Sequence, residues 1–131
     1  MNIPINLLLV DDHLENLLAF DAILADLGHN LVKAGSGAEA LRLAEAHDFA
    51  VILLDIQMPV MDGFETAARL RAIERSAQSP IIFTTASFVD QVHVARGYAL
   101  GAVDYLVKPF APQVLQAKVT AYVDLFKNTR K

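Results

Sequence analysis

Apolar runs that stop at polar residues set the rhythm of this chain. Leu7-Leu8-Leu9-Val10 stops at Asp11-Asp12, and Phe49-Ala50-Val51-Ile52-Leu53-Leu54 stops at Asp55. Ile81-Ile82-Phe83 stops at Thr84-Thr85, and Val103-Asp104-Tyr105-Leu106-Val107 stops at Lys108-Pro109. Short continuous runs of this kind suit strands buried on both faces. Between them, apolar residues recur at helical spacing. The pattern predicts strands over 6–10, 30–34, 50–55, 80–85 and 103–107. It predicts helices over 14–27, 37–47, 63–75, 90–100 and 112–127. Strict alternation of the two implies βαβ units, hence a doubly wound α/β fold: a five-stranded parallel sheet with five helices on both faces.

Local signals refine these elements. Ser36 before Glu39, Asp62 before Glu65 and Asp12 before Glu15 all have capping-box spacing. Gly28 is placed to end the first helix, which should bury Leu14, Leu17, Leu18, Leu24 and Leu27. Ala40, Leu41, Leu43 and Ala44 do the same for the second. Gly35, Gly37, Gly97 and Gly101 fall at loops and helix ends. The second strand, Asn30 to Ala34, is short and polar, which assigns it to a sheet edge. In the last helix, Leu115, Val119, Tyr122 and Phe126 form one apolar stripe, and Val114, Ala121 and Leu125 a second. One packs on the sheet. The other is either a partly exposed aliphatic surface or a face for a dimer or a continuing coiled coil.

Composition narrows the classes. With 131 residues the chain is one domain with room for a full core. It has no cysteine, which removes disulfides and thiolate metal sites and suits a reducing compartment. No signal peptide or membrane-spanning run is visible, so a cytoplasmic location with no membrane partner is expected. A net charge of −4 argues against direct nucleic-acid binding.

The strand ends carry the chemistry. With strand order 2-1-3-4-5, ligands bind between the first and third strands, beyond their carboxyl ends. Asp11, Asp12 and Asp55 meet there. Two such charges at roughly 5 Å repel by about 3 kcal/mol at an effective dielectric near 20. The cluster must raise a carboxyl pKa or recruit a cation. An all-oxygen set favours Mg²⁺, with Mn²⁺ as the alternative, over zinc. Taken singly, Asp12 also reads as a helix cap and Asp55 as a turn residue before Pro59. Their coincidence at matched strand ends points instead to phosphoryl transfer onto an aspartate. The four histidines, His13, His29, His47 and His93, show no ligand spacing among themselves and read as surface or loop residues.

"LLLVDD", "LLDIQMPVMDG", "PIIFTTA" and "DYLVKPF" together resemble the CheY-like receiver domain of bacterial two-component response regulators, over about residues 5–127. The resemblance implies that Asp55 is the phosphoacceptor for a phosphohistidine on a sensor histidine kinase or phosphotransfer protein. It implies that Asp11, Asp12, Asp55 and the Gln57 backbone carbonyl hold Mg²⁺. It assigns Thr85 and Lys108 to phosphoryl oxygens, and Thr85 with Tyr105 to a switch. That switch tips a surface of the fourth helix, fifth strand and fifth helix toward an unidentified downstream protein or a homodimer. Pro109, behind a cis peptide, with Pro59 and Gly63, would shape the site. Thr84 competes with Thr85 by adjacency, and Tyr105 is equally explained as core. Gln57 and Ser87 border the path of hydrolytic water without supplying a base, so a moderate to long acyl-phosphate lifetime is expected.

Other functions are weaker. A pseudo-receiver, binding partners constitutively, would tolerate loss of Asp55, the acidic pair or Lys108, and all are present. A phosphohydrolase needs an acid/base Asp two residues after its nucleophile, and that position is Gln57. The chain is therefore expected to catalyse only its own phosphorylation and dephosphorylation. After the last helix only Asn128 to Lys131 remain, too few for an output domain. A stand-alone receiver, a fragment, and a receiver joined to a histidine kinase all stay open. "ERSAQSPIIF" and "GYALGAVDYLVKPF" are similar to receivers placed ahead of kinase modules.

Overall fold

The computed structural model describes residues 5–86 and 91–129. Strands and helices alternate: β1 (Asn6–Val10), α1 (Leu14–Leu24), β2 (Asn30–Ala34), α2 (Gly37–Ala46), β3 (Val51–Asp55), α3 (Gly63–Arg71), β4 (Ile81–Thr85), α4 (Gln91–Ala99), β5 (Ala102–Val107) and α5 (Pro112–Thr129). All strand pairs are parallel, in the order β2-β1-β3-β4-β5. The expected topology is met, with polar β2 at an edge and β3 buried throughout at the centre.

Side chains alternate between the two faces of each strand, so the core forms two layers. Leu8, Val10, Ile52, Leu54 and Phe83 meet Ala40 and Ala44 of α2 and Phe64, Ala67 and Leu70 of α3. Leu7, Leu9, Val51 and Leu53 meet Leu17, Phe20 and Leu24 of α1 and Leu115, Val119 and Val123 of α5. Among the described residues, no helix is long and apolar enough to cross a membrane.

Three local readings need correction. α1 turns a different face inward: Leu17, Phe20 and Leu24 are buried, while Leu14 and Leu18 are 64% and 55% exposed. A single step along a helix rotates the side chain by about 100°, so Leu18 cannot share the pocket of Leu17. Asp12 does not cap α1; His13 occupies the N-cap position and makes no side-chain cap bond. The two other caps hold, with Ser36 accepting from the Glu39 N–H and Asp62 from the Glu65 N–H. Finally, the helix predicted over 63–75 stops at Arg71 and yields to a 3-10 turn at Glu74–Ser76. The Arg71 guanidinium explains the break. It donates to the carbonyls of Ser76, Ser79, Leu100 and Gly101 at 2.7 to 2.9 Å, drawing both connections around itself.

Candidate functional site

Asp11 follows β1, Asp55 ends the neighbouring β3, and both are buried. Asp11, Asp12, His13 and Asp55 each offer a ligand atom, all within 4.8 Å of one another. Asp11 is fully engaged. Its Oδ1 accepts the His13 N–H at 2.9 Å, and its Oδ2 accepts from Asn16 at 3.1 Å and Lys108 Nζ at 2.9 Å. Asp55 accepts only a long bond among those described, from the Gln57 N–H at 3.2 Å. Asp12 Oδ1 is buried and accepts no aligned hydrogen bond, although His13 Nδ1 lies 3.3 Å away.

The two buried carboxylates are therefore tuned in opposite directions. Burial pushes Asp11 upward, but the His13 N–H, Lys108 and Asn16 together hold it below the ordinary carboxylate range. Asp55 is raised, first by burial and then by the charges of Asp11 and Asp12, against a partial offset from Lys108. An orphaned buried oxygen beside an under-neutralised carboxylate is the environment a divalent cation relieves. The oxygen donors fit Mg²⁺ or Mn²⁺.

The surrounding loops fit this pocket closely. Gly63, the first residue of α3, gives its N–H to the Ile56 carbonyl at 2.8 Å. A Cβ there would collide with the Asp55 carbonyl oxygen and approach Ile56 Cα to 2.7 Å. Glycine is thus what lets α3 start against the back of Asp55. Pro59 accepts the Met61 N–H at 2.8 Å, closing a tight turn around Val60. Val60 has φ of 70° and projects fully into solvent, a rare state for a β-branched residue. Met58 is buried and Met61 packs near Gly37.

On the other side, the Lys108–Pro109 peptide is cis, and the Lys108 N–H donates to the Thr85 carbonyl at 2.7 Å. Thr84 pairs in register with Asp55 and Leu106, so it lies on the α1/α5 face. Thr85 lies on the opposite face, the one carrying Phe83 and Tyr105. Both threonines are buried, and the Thr84 hydroxyl has no partner among the described residues. Tyr105 is half-buried and packs against the core. Its hydroxyl donates to the carbonyl of His93, at 2.9 Å, in α4. Its ring meets Phe83 at 5.5 Å and Tyr98 at 5.6 Å. Gly97 makes the seat: a Cβ there would overlap the Tyr105 hydroxyl and lie 2.8 Å from Cζ.

Sequence reasoning missed His13, Val60 and Gly97 at this site. Adjacency to Asp12 was the available signal for His13. Nothing in the spacing marks a strained valine or the ring that Gly97 receives. Ser87 lies outside the described residues. The second stripe of α5 is exposed at Val114 and Leu125.

The fold and this acidic pocket are those of a receiver domain. Residues 7–120 match the response regulator receiver domain, and the chain belongs to that family. It is 38% identical over 116 residues to the transcriptional regulatory protein AfsQ1 of Streptomyces coelicolor, covering 88% of this chain and 50% of that protein. The chain spans about half the length of the curated relatives it matches. Among solved structures, the chemotaxis protein CheY4 of Vibrio cholerae is 32% identical with a TM-score of 0.85, covering 92% of this chain and 99% of that one. The receiver domain of sensor histidine kinase PA1611 from Pseudomonas aeruginosa is 32% identical with a TM-score of 0.82, covering 93% and 99%. That structure has a magnesium ion coordinated in its active site cleft.

Proposed function

We propose that Asp55 is the phosphoacceptor of this receiver and that a sensor histidine kinase or phosphotransfer protein supplies the phosphoryl group. A carboxylate oxygen of Asp55 attacks phosphorus. The P–N bond to the donor imidazole breaks with its electron pair going to nitrogen, and a mixed anhydride forms. Asp55 needs no base, because it attacks as the carboxylate. The observation that carries this reading is the under-neutralised Asp55 within 4.8 Å of Asp11 and Asp12, with Lys108 already drawn into the pocket.

Asp11, Asp12, Asp55 and the Gln57 carbonyl would hold Mg²⁺, or Mn²⁺ in its place, and the ion supplies charge neutralisation at phosphoryl oxygens when bound. The Lys108 ammonium, now on Asp11, pairs with a second phosphoryl oxygen. The Thr85 hydroxyl takes a third. Its place on the Tyr105 face supports a coupled switch in which Thr85 moves toward the anhydride and Tyr105 resettles against α4. The altered α4, β5 and α5 surface then meets a downstream protein or a second copy of the chain, within a cytoplasmic pathway.

Incubation with acetyl phosphate and MgCl₂, read by intact mass, tests the assignment. The wild-type chain gains one phosphoryl group and Asp55→Asn gains none. Folded wild-type protein that gains nothing contradicts the reading and favours a constitutive docking module.

A further inference from the structure

We propose that Arg71 is the fixed pivot of α4, so that phosphorylation swings the end of α4 nearest the acidic pocket while its far end stays in place. The inference rests on the proposed phosphoryl switch through Thr85 and Tyr105. Arg71 is the last residue of α3. Its Nε donates to the Leu100 carbonyl at 2.8 Å and its Nη2 to the Gly101 carbonyl at 2.9 Å, just past the C-terminal end of α4. Its Nη1 donates to the Ser76 and Ser79 carbonyls at 2.9 and 2.7 Å, in the connection that leads to β4. Hydrogen bonds from an ionised donor are roughly twice as strong as neutral ones. No carboxylate pairs with Arg71 among the described residues, so the half-buried guanidinium depends on these carbonyls to stay satisfied. Gly101 closes the seat. Its φ is 85°, and a Cβ there would lie 2.8 Å from both Nε and Nη2 of Arg71.

The pocket end of α4 rests on rings instead. The Tyr105 hydroxyl reaches the His93 carbonyl at 2.9 Å, the His93 ring stacks on Phe64 at 6.0 Å, and the Arg96 guanidinium lies 4.6 Å from the Phe64 ring centroid. His93 and Arg96 are both exposed. A ring face tolerates sliding, whereas a fork of directional bonds does not. His93 stands about 10 Å along the helix axis from Leu100, so a tilt of about 10° moves it by about 2 Å and leaves Gly101 where it is. The pivot therefore confines the changed surface to the stretch from His93 to Gly97, beside the seat of Tyr105, and keeps the α3–β4 connection out of it.

Amide NMR before and after treatment with acetyl phosphate and MgCl₂ tests this on the wild-type chain, Arg71→Gln and Gly101→Ala, with intact mass reporting the phosphoryl gain in each. In the wild type, shifts at His93 and Val94 should exceed those at Ser76, Ser79, Leu100 and Gly101 by about threefold or more. In both variants the shifts should spread to Leu100 and Gly101 and approach those at His93. A residue that served stability alone would lower the melting temperature and leave the wild-type profile along α4 unchanged. Gly101→Ala presses on the same guanidinium with Arg71 intact, so it decides the matter even where Arg71→Gln does not fold. Phosphorylated wild type that shifts equally at both ends of α4, or folded and phosphorylated variants that keep the wild-type profile, overturns the pivot. A wild-type chain that gains no phosphoryl group overturns instead the phosphoacceptor reading beneath it.

Discussion

β3 and β5 both deliver residues to the acidic pocket, but they are held very differently. β3 lies between β1 and β4, and every one of its residues is buried. It cannot shift Asp55 without tearing two hydrogen-bonded ladders. β5 lies at the sheet edge, four of its six residues are only half-buried, and its register against β4 is irregular between Ile81 and Ile82. It carries Tyr105 and leads into Lys108. The proposed phosphoacceptor, whose chemistry needs fixed geometry, sits on the immovable strand. The residue proposed to report on it, Tyr105, sits where two packings can differ by little.

Core truncation should expose this difference most strongly. Leu54→Ala in β3 should cost about 3–4 kcal/mol and Val103→Ala in β5 only about 1 kcal/mol, measured by urea unfolding. Equal costs would remove the distinction between the strands. Lys108→Ala should cost about 2 kcal/mol, because it leaves the buried Asp11 carboxylate without its cation. MgCl₂ should recover part of that loss in a thermal melt. Gly97→Ala should lose about 1–2 kcal/mol despite alanine's better helix propensity, since the new methyl meets the Tyr105 ring. Adding Tyr105→Phe should return part of it, a coupling readable in a double-mutant cycle.

Asp55→Asn should act the other way and stabilise the metal-free protein at pH 7 by about 1 kcal/mol. The sign follows from its raised carboxyl. Below the ordinary value of 3.8, folded and unfolded chains both hold the proton and Asp55 costs nothing. As pH rises through that value the unfolded chain ionises first, and folding then carries a penalty that persists above the folded pKa. The advantage of asparagine should therefore vanish by about pH 3 in melts taken across the range.

The strand-end residues were legible because each closes a continuous apolar run, and parallel topology then fixes where those ends meet. Two helix caps were legible for the same local reason: Ser36 and Asp62 act within three residues of themselves. The start of α1 was not: Asp11, one residue before the expected cap, accepts the His13 N–H, and His13 stands at the N-cap without a side-chain bond. Its inward face was misread because eight apolar residues in eleven leave the phase of a helix underdetermined. The early end of α3 depends on Arg71 reaching carbonyls 29 and 30 residues away. The seat of Tyr105 against Gly97 likewise exists only once α4 packs on β5.

The most direct measurement joins the two strands. Amide and tyrosine-ring NMR spectra, recorded with acetyl phosphate and MgCl₂ beside intact mass, would follow both ends of the proposed switch at once. Shifts at Tyr105 and at α4 residues from His93 to Gly97 should grow in proportion to the added phosphoryl group. They should be blunted by Thr85→Ala, retained in Thr84→Val and absent in Asp55→Asn. A full phosphoryl gain that leaves Tyr105 and α4 unmoved would contradict the coupling of pocket to surface.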